Sequence, residues 1–197
     1  MTKTKKQRKN GEIDVAQPKL KFAHPNAKGT GSLVEMWISP GTETFSGSLM
    51  VTFARQKTTG GIENGNRILP TFDHANKICV KLTVFEVGTM LQVFDGFLNS
   101  IEEGKGFFHK SAKGHTVVTL EHILEPIPGY LFSVSRKPID GELQRQWIRL
   151  SPSEAFTLSY TLKQALLYMA FGTQDSWSGW MEKSAKETVK PANEKIV

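Results

Sequence analysis

The chain has 197 residues, of which 39% are hydrophobic, with a formal net charge of +6 and one cysteine. This length fits one domain or two small repeats that pack together, and it allows a hydrophobic core. No run approaches the roughly 20 apolar residues that cross a bilayer, so we expect no membrane partner. The single Cys79 excludes an internal disulfide.

The positive charge is concentrated at the start of the chain, where five of the 25 basic residues lie within the first ten positions. The remaining chain carries a net charge of only about +1. Such an arm indicates an anionic partner such as nucleic acid, although a solubilising tail has the same composition. We predict a disordered basic arm at 1–20, a folded domain at 21–175 and a polar C-terminal tail at 176–197.

Alternating apolar and polar residues predict the strands. In the first half they are expected at 33–39, 48–55 and 77–82, and in the second half at 107–108, 117–125, 130–136 and 145–150. Between them, the segment 56–76 contains Gly60-Gly61, Asn64-Gly65 and Pro70. This composition predicts a long flexible loop.

Each half ends in a predicted helix whose start is marked by a capping box. Thr83 and Glu86 form the box in the first half, and Ser151 and Glu154 form it in the second. Apolar residues recur at helical spacing behind each box. The second helix extends to Phe171 and is apolar on more than one side, which indicates contact between helices of different subunits.

The pattern of a strand followed by a capped helix therefore occurs twice, at 78–86 and at 146–154. A second similarity lies upstream, where the strands that begin at Gly47 and Gly129 each continue to a basic residue, Arg55 or Arg136. The chain is predicted to consist of two copies of a unit with several strands and one helix. Such units leave sheet faces without a helix over them, and we expect the function there.

The last strand of the second unit carries the most informative pattern. Alternation places Ile148 and Leu150 on one face and Arg145, Trp147 and Arg149 on the other. An aromatic ring between cations is suited to single-stranded nucleic acid, because bases stack on the ring and the cations neutralise phosphates. A solvated sheet face, or one buried in an oligomer, would have the same pattern.

The first unit offers further candidate residues. Trp37 lies on the face opposite to the predicted core, and Lys77 and Lys81 take the places of Arg145 and Arg149. The basic residues that end the repeated strands join this set. The predicted nucleic-acid-binding residues are Trp37, Arg55, Lys77, Lys81, Arg136, Arg145, Trp147 and Arg149, together with Lys28.

Catalytic interpretations are not supported by the sequence. The five histidines show no spacing typical of metal ligands, and no glycine-rich phosphate loop joins a strand to a helix. Cys79 is expected to fill space on a strand, and Glu86 and Glu154 are explained as capping residues. We therefore predict no enzymatic activity, no cofactor and no metal.

Several short motifs follow one another in a definite order. They are SGSLMVTF at 46–53, FDHANK at 72–77, LTVFEVGTM at 82–90, FFH at 107–109 and SPSEAF at 151–156. In this order, across about residues 22–180, they resemble the Whirly family of single-stranded DNA-binding proteins. Lys28, Gly29 and Leu33 also match parts of the family motif Lys-Gly-Lys-Ala-Ala-Leu, in which Thr30 stands here for the second lysine.

The resemblance implies an α+β fold, in which two antiparallel four-stranded sheets pack together with two helices as a tandem ββββα repeat. It also implies a homotetramer that binds single-stranded DNA along its sheets with little base specificity, in replication, recombination or repair. The domain at 21–175 is then the nucleic-acid-binding unit. RNA binding or annealing on the same fold is an alternative, as is a transcriptional regulator or structural assembly factor that uses the sheet for protein contacts.

The expected cellular setting follows from the start of the chain. The basic residues there are followed by Gly11-Glu12-Ile13-Asp14 and not by an apolar segment, and no organellar transit peptide is evident. We therefore expect a prokaryotic or viral relative of the family, located in the cytoplasm of a prokaryotic cell or of a virus-infected host cell.

Overall fold

The computed structural model describes residues 19–39, 41 and 46–172. Nearly all of the predicted basic arm and the whole predicted C-terminal tail lie outside the described residues. The described chain is an α+β structure with two main antiparallel sheets and two α-helices. The fold class predicted from the sequence is therefore confirmed.

The first unit forms a meander of strands followed by a helix. Its elements are β1 (Leu20–His24), β2 (Ser32–Ser39), β3 (Ser48–Thr58), β4 (Gly61–Glu63), β5 (Asn66–Ile68), β6 (Thr71–Phe72), β7 (Ile78–Leu82) and α1 (Val84–Phe94). The main sheet has the order β1-β2-β3-β7, and the short β6 pairs with the end of β3. β4 and β5 form a separate two-stranded hairpin.

The second unit repeats this order. After a 3-10 turn at Ile101–Gly104 come β8 (Phe107–Ser111), β9 (Gly114–Ile123), β10 (Gly129–Pro138), β11 (Gln144–Leu150) and α2 (Pro152–Phe171). Its sheet has the order β8-β9-β10-β11, so each strand corresponds to one in the first main sheet. The tandem repeat inferred from the sequence is present in the structure.

The prediction of a long flexible loop at 56–76 is wrong. β3 continues to Thr58, and residues 61–68 fold into a hairpin whose turn is Asn64-Gly65. Asn64 and Gly65 have φ angles of 50° and 77°, and positive values at both positions are what a two-residue hairpin turn of type I′ requires. Asn64-Gly65, one of the signals that indicated a loop, is therefore the turn of a hairpin.

The core lies between the two sheets and the helices. Phe53 of the first sheet and Phe132 of the second are fully buried, and their ring centroids are 4.9 Å apart. Truncating either ring to alanine would cost about 3–5 kcal/mol in the free energy of unfolding. Leu158 and Leu162 of α2 belong to the same cluster. Both sheets therefore use one face for the core.

Both predicted capping boxes are present. The Thr83 hydroxyl accepts a hydrogen bond from the Glu86 backbone N–H, and the Glu86 carboxylate accepts one from the Thr83 backbone N–H. Ser151 and Glu154 make the same reciprocal pair at the start of α2. The two boxes fix where each strand stops and each helix begins.

Candidate nucleic-acid interface

The outer face of the second sheet is open to solvent. The side chains that point away from the core on its four strands are all exposed or half-buried. They are Phe108, Lys110, His115, Val117, Thr119, Glu121, Ile123, Leu131, Ser133, Ser135, Lys137, Arg145, Trp147 and Arg149. Seven of these side chains are aromatic, imidazole or cationic, and one, Glu121, is acidic, so the face is suited to an anionic ligand.

Trp147 is the largest exposed side chain on β11. Its side chain is 57% exposed, between Arg145 and Arg149 on the same face, whereas Ile148 and Leu150 are fully buried. Pairing with β10 places Trp147 beside Ser133 and Arg145 beside Ser135. These residues border a shallow depression of about 600 Å³. The alternation predicted for this strand is confirmed.

The Arg149 side chain, predicted only as a cation beside Trp147, is also hydrogen-bonded to the backbone. Its Nη2 donates a hydrogen bond to the backbone carbonyl of Ile127, in the turn between β9 and β10. Its Nε is buried and has no hydrogen-bond partner among the described residues. Arg149 therefore supports the turn as well as contributing positive charge beside Trp147.

A narrower crease lies between the first sheet and β11. It has a volume of about 290 Å³ and is bordered by the turn at 29–32, the end of β3 and Arg145 to Trp147. Trp147 thus lies where the crease meets the outer face of the second sheet. A ring at this junction is accessible from two sides of the molecule.

The buried side chain of Gln56 fixes the turn that forms one wall of the crease. Its Oε1 accepts hydrogen bonds from the backbone N–H groups of Asn26 and Gly31, and its Nε2 donates to the carbonyls of Asn26 and Thr58. A Cβ at Gly31 would lie 2.3 Å from the Gln56 oxygen, so glycine is needed there. Lys28, which is exposed, is carried by this turn.

The outer face of the first sheet differs from that of the second. Trp37 is half-buried, and the ammonium of Lys19 lies 4.9 Å from the centroid of its ring. Trp37 and Lys81 occur in the same cross-strand row, each paired with Met50. This cation–π contact covers part of the ring, so Trp37 offers less stacking surface than Trp147.

A carboxylate lies near the middle of the same face. Glu35 is buried and its Oε1 is 2.9 Å from the Nζ of Lys21. Burial raises the pKa of Glu35, but the hydrogen bond and charge of Lys21 outweigh it and lower the pKa below its ordinary value. The group therefore remains ionised near neutral pH, where it offsets Lys21 and opposes a phosphate at this position.

Arg55 and Arg136 connect the two sheets. Nη2 of Arg55 donates to the carbonyl of Arg145 on β11, at 2.5 Å, and Nη2 of Arg136 donates to the carbonyl of Cys79 on β7, at 2.6 Å. Nε of Arg136 also donates to Thr116 at 3.3 Å. Their predicted contact with nucleic acid stays a prediction, whereas the two Nη2 hydrogen bonds join one sheet to the other.

The nine predicted residues therefore fall into separate groups. Arg145, Trp147 and Arg149 lie together on the second sheet, and Trp37 and Lys81 lie together on the first. Lys77 is exposed just before β7, and Lys28 is exposed in the turn after β1. The remaining two, Arg55 and Arg136, join the sheets.

Several residues on the same face as Trp147 were not predicted from the sequence. Phe108 is 62% exposed on β8, and Lys110, His115 and Lys137 lie beside it on the outer face. The signal was available, because alternation along Phe107-Phe108 requires that one ring point outward. Phe107 is buried in the core.

Two negative findings apply to the described residues, 19–39, 41 and 46–172. Within them, no group of three or more His, Cys, Asp or Glu side chains could hold a metal ion. None of the helices in this part of the chain combines the length and hydropathy that a membrane span requires.

Comparison with solved structures identifies the fold. WHY1 from Arabidopsis thaliana has a TM-score of 0.59 and 17% sequence identity, with 92% of this chain and 99% of that chain covered. WHY3 from Arabidopsis thaliana has a TM-score of 0.53 and 18% identity, with 88% and 99% covered. The plant transcriptional regulator PBF-2 has a TM-score of 0.51 and 20% identity, with 90% and 92% covered.

The sequence itself gives a weaker signal than the structure. No protein-family model matches the chain, and no curated protein matches its sequence. The neighbours in structure are Whirly proteins, and the match spans nearly the full length of each. The chain has the Whirly fold, as its short motifs predicted.

Proposed function

We propose that this chain, a protein with the Whirly fold, binds single-stranded DNA and protects it in replication, recombination or repair. The observation that supports this best is Trp147, which is 57% exposed between Arg145 and Arg149 on an open sheet face. Stacking on such a ring contributes about 1–3 kcal/mol per base. The arginines supply the positive charge that a phosphate backbone requires.

Little sequence preference is expected from this surface. Stacking is tolerant because every base has a π-face, and the cations interact with phosphates that are the same in every nucleotide. The hydroxyls of Thr119 and Ser133, beside Trp147, are 2.6 Å apart and hydrogen-bond to each other. Each hydroxyl is therefore already engaged in a hydrogen bond and is poorly suited to hydrogen-bonding with base edges.

The direct test is fluorescence anisotropy with three labelled probes of one sequence: single-stranded DNA, single-stranded RNA and duplex DNA. We expect the tightest binding to single-stranded DNA, with weaker binding by Trp147→Leu. Phe97→Leu is the matched control, because Phe97 is 80% exposed in the turn after α1 and does not belong to either sheet. Equal or tighter binding to RNA would instead support an RNA-binding or annealing protein.

A role in transcription is the second candidate. It is supported by the similarity of this fold to PBF-2, which is described as a plant transcriptional regulator. If the protein bound none of the three probes, the sheet faces would be assigned to protein contacts, as in a regulator or a structural assembly factor.

We propose no catalytic role. The two carboxylates that resemble an acid pair in the sequence, Glu86 and Glu154, are engaged in capping boxes and in contacts with histidines. Such contacts explain these acids as structural groups.

We further propose that the protein is a homotetramer that assembles through its helices. Phe85 is 87% exposed on α1, and Leu167 and Phe171 are exposed on α2. Together they border an apolar groove of about 520 Å³ between the helices. Exposed apolar surface of this kind is typical of contacts between subunits, and the number four comes from the Whirly resemblance.

Light scattering after gel filtration tests the assembly. Four chains of 22.0 kDa would give a particle of about 88 kDa. Phe85→Glu and Leu167→Glu should dissociate it, whereas Phe97→Glu should leave it intact. A 22.0 kDa particle from the unmodified protein would refute the proposal.

A further inference from the structure

Phe108 and His115 form a second aromatic site on the outer face of the second sheet. Their ring centroids are 5.5 Å apart and the ring planes differ by 28°, so the rings are stacked. Phe108 remains 62% exposed although His115 lies against it. A half-covered ring of this kind is fixed in orientation and still has surface for a further stacking partner.

This pair lies at the opposite edge of the sheet from Trp147. β8 and β11 are the two edge strands, with β9 and β10 between them. The pairing places Phe108 in the row of Val117, Ser135 and Arg145, which is the row next to that of Trp147. Three strand spacings separate the two edges, which is about 14 Å.

Small side chains cover the surface between the two aromatic sites. The outward residues of β9 and β10 in these two rows are Val117, Thr119, Ser133 and Ser135, and all four are half-buried. Trp147 and Phe108 are the exposed rings at the two ends. The face is therefore low in the middle and raised at its edges, which leaves room for a single strand lying flat across it.

Cations flank the Phe108 end as they flank Trp147. Lys110 and Lys137 are each paired with His115 across the strands, and both lysines are exposed. Among the described outward residues of this sheet, the only acid is Glu121, which lies in the row of Arg149. Rings with cations beside them are therefore present at both edges of one face.

We infer that a bound single strand crosses the outer face of the second sheet from Trp147 to Phe108, and that Phe108 over His115 is a second stacking site. The inference rests on the proposed function and specifies the path of the ligand. A distance of about 14 Å corresponds to about four stacked nucleotides at 3.4 Å each. One subunit would then hold a short segment of DNA between two stacked bases.

The first sheet is a weaker path for the same ligand. The ring of Trp37 is already in contact with Lys19, and the carboxylate of Glu35 lies in the next row of that face. The corresponding surface of the second sheet has hydroxyls and a valine in its central rows. Phosphates therefore meet less repulsion on the second sheet.

The test compares Phe108→Leu, Trp147→Leu and the control Phe97→Leu, each in the full chain, with an oligothymidylate of about twelve nucleotides. We expect Phe108→Leu to weaken binding by about 5- to 150-fold, the range that the loss of one stacked base gives. Phe97→Leu should bind as the unmodified protein does. Circular dichroism and thermal unfolding should be unchanged, because Phe108 is mostly exposed.

Photo-crosslinking gives a second, independent readout. Oligonucleotides with a single 5-iododeoxyuridine at each position in turn should crosslink to Trp147 and to Phe108, mapped by mass spectrometry. The two crosslinks should be strongest from positions about four nucleotides apart.

The outcomes separate this inference from the proposed function. If Trp147→Leu weakens binding while Phe108→Leu binds normally and gives no crosslink, the path is wrong and the proposed function stands. If the unmodified protein fails to bind the oligonucleotide, the proposed function fails and the path fails with it.

Discussion

Nε2 of His109 lies 2.5 Å from Oε1 of Glu86, so a strand of the second unit holds the capping carboxylate of the first helix. The first unit makes the corresponding contact in return, because Nε2 of His24 lies 2.7 Å from Oε1 of Glu154 at the start of α2. Each helix start is therefore stabilised from its own unit by a hydroxyl and from the other unit by an imidazole.

This contact predicts how stability changes with pH. Burial raises the pKa of Glu86, but hydrogen bonds from Thr83 and His109 outweigh it, so the pKa lies below its ordinary value of 4.5. A carboxyl with a lowered pKa in the folded state contributes stability above its unfolded pKa, and the contribution is lost as the pH falls through the folded pKa. Glu86→Gln should cost about 1 kcal/mol near pH 7, and this difference should vanish in acid.

Urea unfolding between pH 7 and pH 3 would measure the effect of Glu86→Gln. Glu103→Gln is the control, because the Glu103 side chain is 91% exposed. A difference between the unmodified protein and Glu86→Gln that stayed constant down to pH 3 would contradict the assignment.

The salt dependence of binding should distinguish Trp147 from Arg145. Trp147→Leu should cost roughly 1–3 kcal/mol in binding free energy at every salt concentration, because stacking is hardly screened. The loss caused by Arg145→Gln should shrink as salt rises, with the slope of log K against log salt reduced by about 0.7. Anisotropy titrations over a salt series give both values. If Trp147→Leu instead lowered the melting temperature or dissociated the oligomer, the ring would belong to a subunit contact.

Two adjacent cations on β10 should behave in opposite ways. Arg136→Met should lower the free energy of unfolding by about 1–3 kcal/mol, because Arg136 donates to the carbonyl of Cys79 on the first sheet and to the hydroxyl of Thr116 on its own sheet. Lys137→Met, on the outer face, should change stability by no more than about 0.5 kcal/mol and should lower the salt slope by about 0.7. Denaturant unfolding and salt titration of both variants test this contrast. If Arg136→Met lowered the slope of log K against log salt and left stability unchanged, Arg136 would belong to the binding site.

Gln56→Leu should destabilise the turn that carries Lys28. The substitution leaves buried N–H and carbonyl groups of Asn26 and its neighbours without partners, at a cost of about 2–4 kcal/mol. Gln144→Leu, at an exposed position of β11, should change stability by no more than about 0.5 kcal/mol. Thermal unfolding measures both. Equal melting temperatures for the two variants would show that water replaces the Gln56 side chain.

Much of the fold could be predicted because its signals are local. The capping boxes at Thr83 and Ser151, and the alternation around Trp147, depend on residues within one or two turns or strand repeats. The hairpin at 61–68 was missed because Asn64-Gly65 is a turn signal whose flanking strands are short and exposed. β1 was also missed, since its pairing with β2 is not visible in its five residues.

The functional assignments were harder because they depend on contacts between distant segments. Trp37 and Trp147 follow the same alternation, but only the structure shows that Lys19 lies over one ring and that the other is free of such a contact among the described residues. Arg55 and Arg136 are surface cations by composition, and their bonds to Arg145 and Cys79 span 90 and 57 residues. Sequence patterns predict which side chains share a face of a sheet, whereas contacts between distant segments decide which of those side chains are accessible to a ligand.

The reciprocal pairs His109–Glu86 and His24–Glu154 have the form of an isologous dimer interface, in which residue i of one partner meets residue j of the other and the reverse contact also exists. Here both partners belong to one polypeptide. The two subunits of a homodimer must have the same sequence, whereas two units of one chain need not. Each contact can therefore be kept while the outer surfaces of the two units differ. That freedom is visible where Cys79 of the first unit occupies the position that Trp147 has in the second, so only one of two corresponding surface positions carries an aromatic ring.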